Sequence, residues 1–228
     1  MKRSQINTIL KEADDFFASH SFHLPPWTSW DKTTWLEMKD AAANIFETML
    51  GWDITDFGSG DFYNRGLVLI TLRNGIPSNE DKPYAEKIMM VRERQETPLH
   101  FHWNKTEDII DRGGGRLSFE FFASSRDGSL LDSPITLLQD GIRRTVEAGE
   151  TITIDPGMSL TLPKGVYHRF YAEAGGGPVM TGEVSMVNDD EKDNRFYDAS
   201  GRFPEIEEDE PPYRYLVSDY KALLEGRL

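Results

Sequence analysis

A mainly β chain with helices at its N-terminal end is what this sequence predicts, and three observations carry the prediction. The first is a change of character near residue 67. From there, short runs rich in Val, Ile, Leu, Thr and Phe (67–72, 88–91, 117–122, 151–154 and 166–172) are separated by clusters of Gly, Pro, Asn and Asp. The second is turn chemistry: Asp155-Pro156-Gly157 and Pro163-Lys164-Gly165 each set a proline that fixes φ before a glycine that accepts positive φ. The third is the pattern over 4–18 and 31–50, where apolar residues recur at three- and four-residue steps instead of alternating. Many short strands with tight connections make a sandwich or a barrel, and closure creates an interior on which alternate residues converge.

In chain order, Ile6, Ile9, Leu10, Ala13, Phe16 and Phe17 share one face opposite Lys11, Glu12 and Asp15, so an amphipathic helix is predicted over 4–18. A second helical stretch runs through Trp35, Met38, Ala42, Ile45, Phe46 and Leu50, capped by Ser29 or Asp31 and stopped by Gly51. Trp27, Trp30 and Trp35 read as packing residues. These segments form a helical cap over 1–60, and the strands occupy 61–187, where Leu160 and Leu162 flank Thr161 in the alternation of a half-buried strand. Gly113–Gly115 and Gly175–Gly177 mark sharp connections; neither precedes the Lys-Ser or Lys-Thr of a phosphate loop. From 188 the chain is polar and reads as solvated loops, with a flap over the barrel mouth as the alternative, before a short helix over 220–228. All 228 residues make one domain.

Composition narrows the function. Hydrophobic residues make up 38%, and no apolar run approaches the ~20 residues that span a bilayer, so no membrane partner is expected. With no cysteine, disulfides and metal thiolates are excluded, and a cytoplasmic location is the expectation. A net charge of −14 repels phosphodiester backbones, so nucleic acid is not an expected partner.

The informative chemistry lies in two short segments. His100 and His102 are two residues apart, so on a strand both rings point the same way. Glu107 follows after a short polar excursion and offers a hard oxygen, and His168, just after the Pro163–Gly165 turn, supplies a third nitrogen. Singly, each histidine reads as an ordinary hydrogen-bonded residue. Three of the chain's five histidines falling in strand-and-turn context, with a carboxylate, predict one metal bound by His100, His102, Glu107 and His168. Such a mixed donor set suits Mn, Fe, Zn, Co or Ni and leaves positions for water or substrate. A Lewis acid of this kind stabilises charge that develops when a proton α to a carbonyl is removed. Lys87, on a strand face shared with Met89 and Val91, and Lys105, inside the metal motif, are candidates to reach substrate oxygens. Acidic candidates for proton transfer are Glu183, Asp190 and Glu205.

The arrangement resembles the two-motif signature of the cupin superfamily, in which His-x-His, a following Glu and a later His after a Pro-x-Gly turn bind one metal. The chain departs from that pattern only at flanking positions, with Arg94 in place of a Gly and Ala172 in place of an Asn. Residues 51–62, 82–87, 100–105 and 107–115 further resemble the D-lyxose ketol-isomerases, nearly end to end. The resemblance implies a cupin-type antiparallel β-barrel (jelly roll) with N-terminal helices. It also implies an aldose-ketose isomerase that interconverts D-lyxose and D-xylulose, and D-mannose and D-fructose more weakly, through a cis-enediol. Mn²⁺ is then the expected divalent metal, with Co²⁺, Fe²⁺, Ni²⁺ or Zn²⁺ as alternatives. Glu205 becomes the base, Lys105 a second catalytic group, Lys87 and Asp190 substrate contacts, a monosaccharide the substrate and a homodimer the assembly. Glu183 stays the alternative base. A cupin dioxygenase and a non-catalytic sugar-binding cupin use the same barrel and remain open at this point.

Overall fold

The computed structural model describes residues 1–77, 79–187, 193–198, 201 and 204–228. Among the described residues there are four α-helices: α1 (Arg3–Ser19), α2 (Lys32–Met38), α3 (Ala43–Glu47) and α4 (Tyr220–Leu224). The strands up to the first metal motif are β1 (Gly51–Thr55), β2 (Leu67–Arg73), β3 (Tyr84–Val91), β4 (Thr97–His102) and β5 (Glu107–Gly114). Then come β6 (Leu117–Ser124), β7 (Leu130–Leu131), β8 (Ile135–Gln139), β9 (Ile142–Val146), β10 (Thr151–Ile154) and β11 (Ser159–Leu162). The last three are β12 (Val166–Ala172), β13 (Val179–Met186) and β14 (Asn194–Phe196). They form an eight-stranded sheet in the order β1-β2-β3-β13-β5-β11-β8-β9 and a six-stranded sheet in the order β10-β6-β12-β4-β14, with β7 paired to β6. This is the mainly β, cupin-type architecture the sequence predicts.

Alternation explains how the sheets close on each other. Leu69, Met89, Ile109, Leu160 and Val179 of the eight-stranded sheet share one buried cluster with Leu117, Phe119, Phe121, Ile152 and Phe170 of the six-stranded sheet. The intervening residues of β1, β2 and β3 (Trp52, Ile54, Val68, Ile70, Leu72, Ile88 and Met90) point the other way and are buried under Ile6, Ile9, Leu10, Ala13 and Phe17 of α1. With both faces covered, β2 is buried throughout 67–72 and apolar at every one of these positions but Thr71, which is why it lacks the alternation of a half-exposed strand. Full burial of each α1 anchor contributes about 1.5–3 kcal/mol, and Phe17, stacked on Trp52 at 6.3 Å, is the contact whose truncation to Ala would loosen the helix most. The helix therefore lies along the outer flank of the eight-stranded sheet.

The second helical stretch is broken into α2 and α3. Asp31 is the cap, its carboxylate accepting from the Thr34 N–H at 2.8 Å. The break folds Trp35 and Phe46 around Tyr220, with ring centroids 5.4 and 5.0 Å from it, so the tryptophans of this region are packing residues as expected. Gly51 does more than stop a helix: it opens β1 at φ +145°, where a Cβ would lie 2.2 Å from the Tyr220 hydroxyl. The sheet thus begins at residue 51, before the expected boundary at 61, and β14 extends it past residue 188. The segment 205–213 runs back along α1. Arg3 is fully buried there, donating to Glu208 at 2.6 and 2.8 Å and to Asp219 at 2.8 and 3.0 Å.

Candidate metal centre

On β4 the two-residue step turns His100 and His102 to the interior, and β12 lies antiparallel beside it with His168 directly opposite His100. The Pro163–Gly165 turn makes this pairing possible: Gly165, at φ +75°, donates its N–H to the His102 carbonyl at 2.9 Å and returns the chain alongside β4. All three imidazoles are buried, and their ligand atoms lie within 4.8 Å of one another. Each of two rings has its tautomer set by its own strand: Nδ1–H of His100 donates to the Pro98 carbonyl at 2.8 Å, and that of His168 to the Val166 carbonyl at 3.0 Å. A carbonyl only accepts, so the proton is on Nδ1 and the lone pair on Nε2 faces the cavity. Burial, reinforced by the neighbouring rings His168 and His102, holds His100 well below the usual imidazole range. Burial and the Lys105 ammonium lower His102. Both are neutral at physiological pH, the form that ligates a metal.

Glu107 stands beside this triad, with Oε1 3.1 Å from His168 Nε2 and Oε2 3.4 Å from His102 Nε2. Burial pushes its carboxyl upward, but Lys105 and then His102 outweigh that and hold it well below the usual carboxylate range. The His168 Nε2 atom is buried without a hydrogen-bond partner among the described residues. Glu107 Oε1 lies 3.1 Å from that atom, and a cation shared between the two would satisfy both. Three imidazole nitrogens and one carboxylate fit a divalent metal.

The facing sheet supplies charge. Lys105, in the β4–β5 connection, reaches Glu107 at 2.7 Å and Glu183 of β13 at 2.9 Å. Lys87 of β3, paired directly across from Glu183, lies 3.3 Å from the same Oε1 atom, to which Ser185 also donates at 2.9 Å. Burial alone lowers Lys105 and raises Glu183. The network wins in both cases: Glu107 and Glu183 hold the Lys105 ammonium above the ordinary lysine range, while Lys105 and Lys87 hold Glu183 below the ordinary glutamate range. Both carboxylates are ionised. His100, His102, Glu107, Lys105, Lys87 and Glu183 line one cavity, whose other walls include Leu69, Met89, Thr97, Phe170 and Phe196.

The D-lyxose isomerase family matches residues 1–220. The chain belongs to that family. A D-lyxose/D-mannose isomerase of Escherichia coli O157:H7 is 47% identical over 224 residues, covering 97% of this chain and 99% of the relative. One of Serratia proteamaculans is 47% identical over 224 residues, covering 96% and 98%. The protein is a sugar isomerase. Among solved structures, the Cellulomonas parahominis L-ribose isomerase with L-ribose superimposes with a TM-score of 0.59 at 15% identity, over 91% of this chain and 98% of that one. The Acinetobacter sp. DL28 L-ribose isomerase with L-ribose gives 0.57 at 15% identity, over 91% and 98%. At that identity these two likenesses speak for the fold alone.

Of the residues expected at the site, His100, His102 and His168 gather in one cluster, Glu107 lies 3.1 Å from His168 and 3.4 Å from His102, and Lys87 and Lys105 both line the cavity. Glu205 does not. It is exposed, its carbonyl accepts from the Met1 ammonium at 2.6 Å, and its segment is pinned to α1 through the Lys2–Glu207 bridge and the Asp209 and Glu210 contacts to Ser4 and Asn7. Because α1 covers the outer flank of the sheet, this pinning holds Glu205 outside the cavity lining. Asp190 lies outside the described residues. Sequence reasoning missed Ser185, Thr97 and Asp193. The Asp193 carboxylate accepts from the Asn104 and Lys105 N–H groups at 2.7 and 3.1 Å and thereby fixes the loop that carries Lys105. Among the described residues no helix is long and apolar enough to cross a membrane.

Proposed function

We propose that this enzyme interconverts D-lyxose and D-xylulose, and D-mannose and D-fructose more weakly, with His100, His102, His168 and Glu107 as metal ligands and Glu183 as the proton-transfer base. The observation that carries the reading is the placement of Glu183: a buried, ionised carboxylate lining the same cavity as His100 and His102, held between two ammonium groups. The 47% identity to two D-lyxose/D-mannose isomerases supports the substrate pair. When bound, the metal supplies a Lewis acid for the vicinal oxygens of an open-chain sugar. Mn²⁺ is the first choice, ahead of Co²⁺, Fe²⁺, Ni²⁺ and Zn²⁺.

In this scheme Glu183 removes the proton from C2 of the aldose, the C2–H electron pair forms the C1=C2 bond of a cis-enediol, and the carbonyl oxygen at C1 takes up a proton. Glu183 then returns its proton to C1 while the hydroxyl at C2 gives up its own, leaving the ketose. One carboxylate serves both carbons because they are adjacent on the same face of the enediol. Lys105 and Lys87 are placed to donate to the oxygens as negative charge develops on them. The apolar walls limit water at the exchanging carbon. The homodimer implied by the cupin resemblance belongs to the same proposal, and sedimentation of the purified protein tests it.

The deciding experiment is incubation of Mn²⁺-loaded protein with D-lyxose and D-mannose in D₂O, followed by product analysis. The expected result is D-xylulose and D-fructose, with deuterium entering at the exchanging carbon to the extent that Glu183 trades its proton with solvent. Oxygen consumption without ketose would replace this reading by a dioxygenase, and sugar binding without turnover would replace it by a binding protein.

A further inference from the structure

The cavity lining includes a polar group that belongs to neither the triad nor the charged network and that stands without a hydrogen-bond partner among the described residues. Thr97, at the start of β4, is 3% exposed and lines the cavity, and its hydroxyl has no hydrogen-bond partner among the described residues. Strict alternation along β4 would put Pro98, not Thr97, on the face of His100 and His102. The ladder shows why it does not: His168 pairs with His100, but two residues further along β12 Phe170 pairs with Thr97, so β4 carries an extra residue. That is a β-bulge, placed where Pro98 has no N–H to give to the ladder. It turns Thr97 inward beside Phe170, on the far side of His100 from His102 and Lys105, about 7 Å along the strand.

A buried hydroxyl with no partner is unfavourable, and in an otherwise apolar stretch of wall it is retained at a cost in stability unless a ligand satisfies it. We propose that Thr97 is a specificity-determining contact, its Oγ1 hydrogen-bonded to a sugar hydroxyl remote from the two carbons that exchange the proton. The inference rests on the sugar-isomerase reading of the cavity and adds to it the group that reads the substrate's tail. The metal-side groups act on the C1 and C2 oxygens common to all aldoses. Thr97 distinguishes among them by whether a hydroxyl stands in reach, because a site built to bond a hydroxyl penalises the analogue that lacks it.

The test uses metal-loaded protein and D-lyxitol, which has no carbonyl and does not isomerise, together with its 3-, 4- and 5-deoxy derivatives. Binding is measured by calorimetry for the parent, Thr97→Val, which keeps the shape and removes the hydroxyl, and Thr97→Ser, which restores it. Thr97→Val is expected to weaken D-lyxitol about 10-fold, the scale of one hydrogen bond between neutral groups. One deoxy derivative should bind parent and Thr97→Val alike, and Thr97→Ser should return D-lyxitol to within about twofold of the parent. Equal affinity of parent and Thr97→Val for every ligand means that the hydroxyl serves only an ordered water and overturns the proposal. Uniform weakening of every ligand makes Thr97 a packing residue and also overturns it. If Thr97→Val does not fold, Thr97→Ala gives the same comparison. Failure of the parent to turn over any aldose defeats the isomerase reading while the binding pattern still decides Thr97. Where D-lyxitol binds too weakly to measure, the same fold-changes in KM for D-lyxose and its deoxy analogues decide it, and a parent that neither binds nor converts these compounds overturns both.

Discussion

On the six-stranded side of the cavity, His100 and His168 are each oriented by a carbonyl two residues back on their own strand. On the eight-stranded side, Lys87, Glu107 and Glu183 hold one another across strands, with Lys105 bridging the two carboxylates. The first wall is built from local backbone bonds between neutral groups, so loss of one ring leaves the others aimed. The second is a closed account of two buried negative and two buried positive charges, in which no member can be withdrawn without leaving another uncompensated. Ligation and proton transfer are thereby placed on surfaces that fail in different ways.

The largest effect is expected from Glu183→Gln, which keeps the shape of the charged wall and removes its base. Turnover should fall by roughly 10²- to 10⁴-fold while elemental analysis finds the parent's metal content. Unchanged turnover would return the base to an unassigned group. Lys105→Met should break the wall itself, costing about 3–5 kcal/mol in denaturant titration. It should also reverse a pH dependence. In the parent, Glu107 and Glu183 are held below their ordinary range, so their contribution is full above the unfolded glutamate value and is lost as the pH falls through the folded one. Without the ammonium, burial dominates and stability should drop as the pH rises. On the imidazole wall, His102→Ala or His168→Ala should weaken metal binding more than about 100-fold, with near-parent circular dichroism; stoichiometric metal after dialysis would remove these residues from the site.

The smallest effect sharpens the contrast within a single strand. Asp111 follows Glu107 by four residues on the same face of β5 and is equally buried, but it has no cation beside it. Its Oδ1 accepts only from the Gly113 N–H at 3.0 Å, and Oδ2 has no hydrogen-bond partner among the described residues. Burial, with a smaller contribution from Asp155, pushes it up to about 6. A carboxyl raised on folding binds its proton more tightly in the native state, so stability should fall as the pH rises from about 4 to 6. Asp111→Asn should therefore stabilise the protein by about 1–2 kcal/mol at pH 7.5 and by nothing measurable at pH 4, read as melting temperature.

The triad was legible in the sequence because two-residue spacing on a strand and a Pro-Lys-Gly turn are local facts with fixed geometric consequences. The amphipathic pattern of α1 was equally direct. β1 was hidden because Gly51–Thr55 is a short strand, buried on both faces and holding Trp52 and Asp53, that follows a helix at once. Glu205 was preferred to Glu183 on the resemblance, yet what separates them is tertiary: β13 runs beside Lys87, whereas 205–213 is tied to α1. Thr97 was missed because alternation from His100 and His102 sets Pro98, not Thr97, on their face. Pro98 held the missing signal, since proline inside a paired strand marks a bulge.

Arg3 and Asp219 are 216 positions apart in the chain. A ribosome therefore makes the helix long before either anion that neutralises its buried guanidinium, Glu208 or Asp219. Until then α1 carries an apolar stripe and an uncompensated cation, and it has little reason to stay on a half-built sheet. Closing so long a loop is slow, so the return of 205–219 to α1 comes late in folding. A polypeptide stopped short of Glu208 is expected to be sticky and protease-sensitive throughout rather than merely ragged at one end.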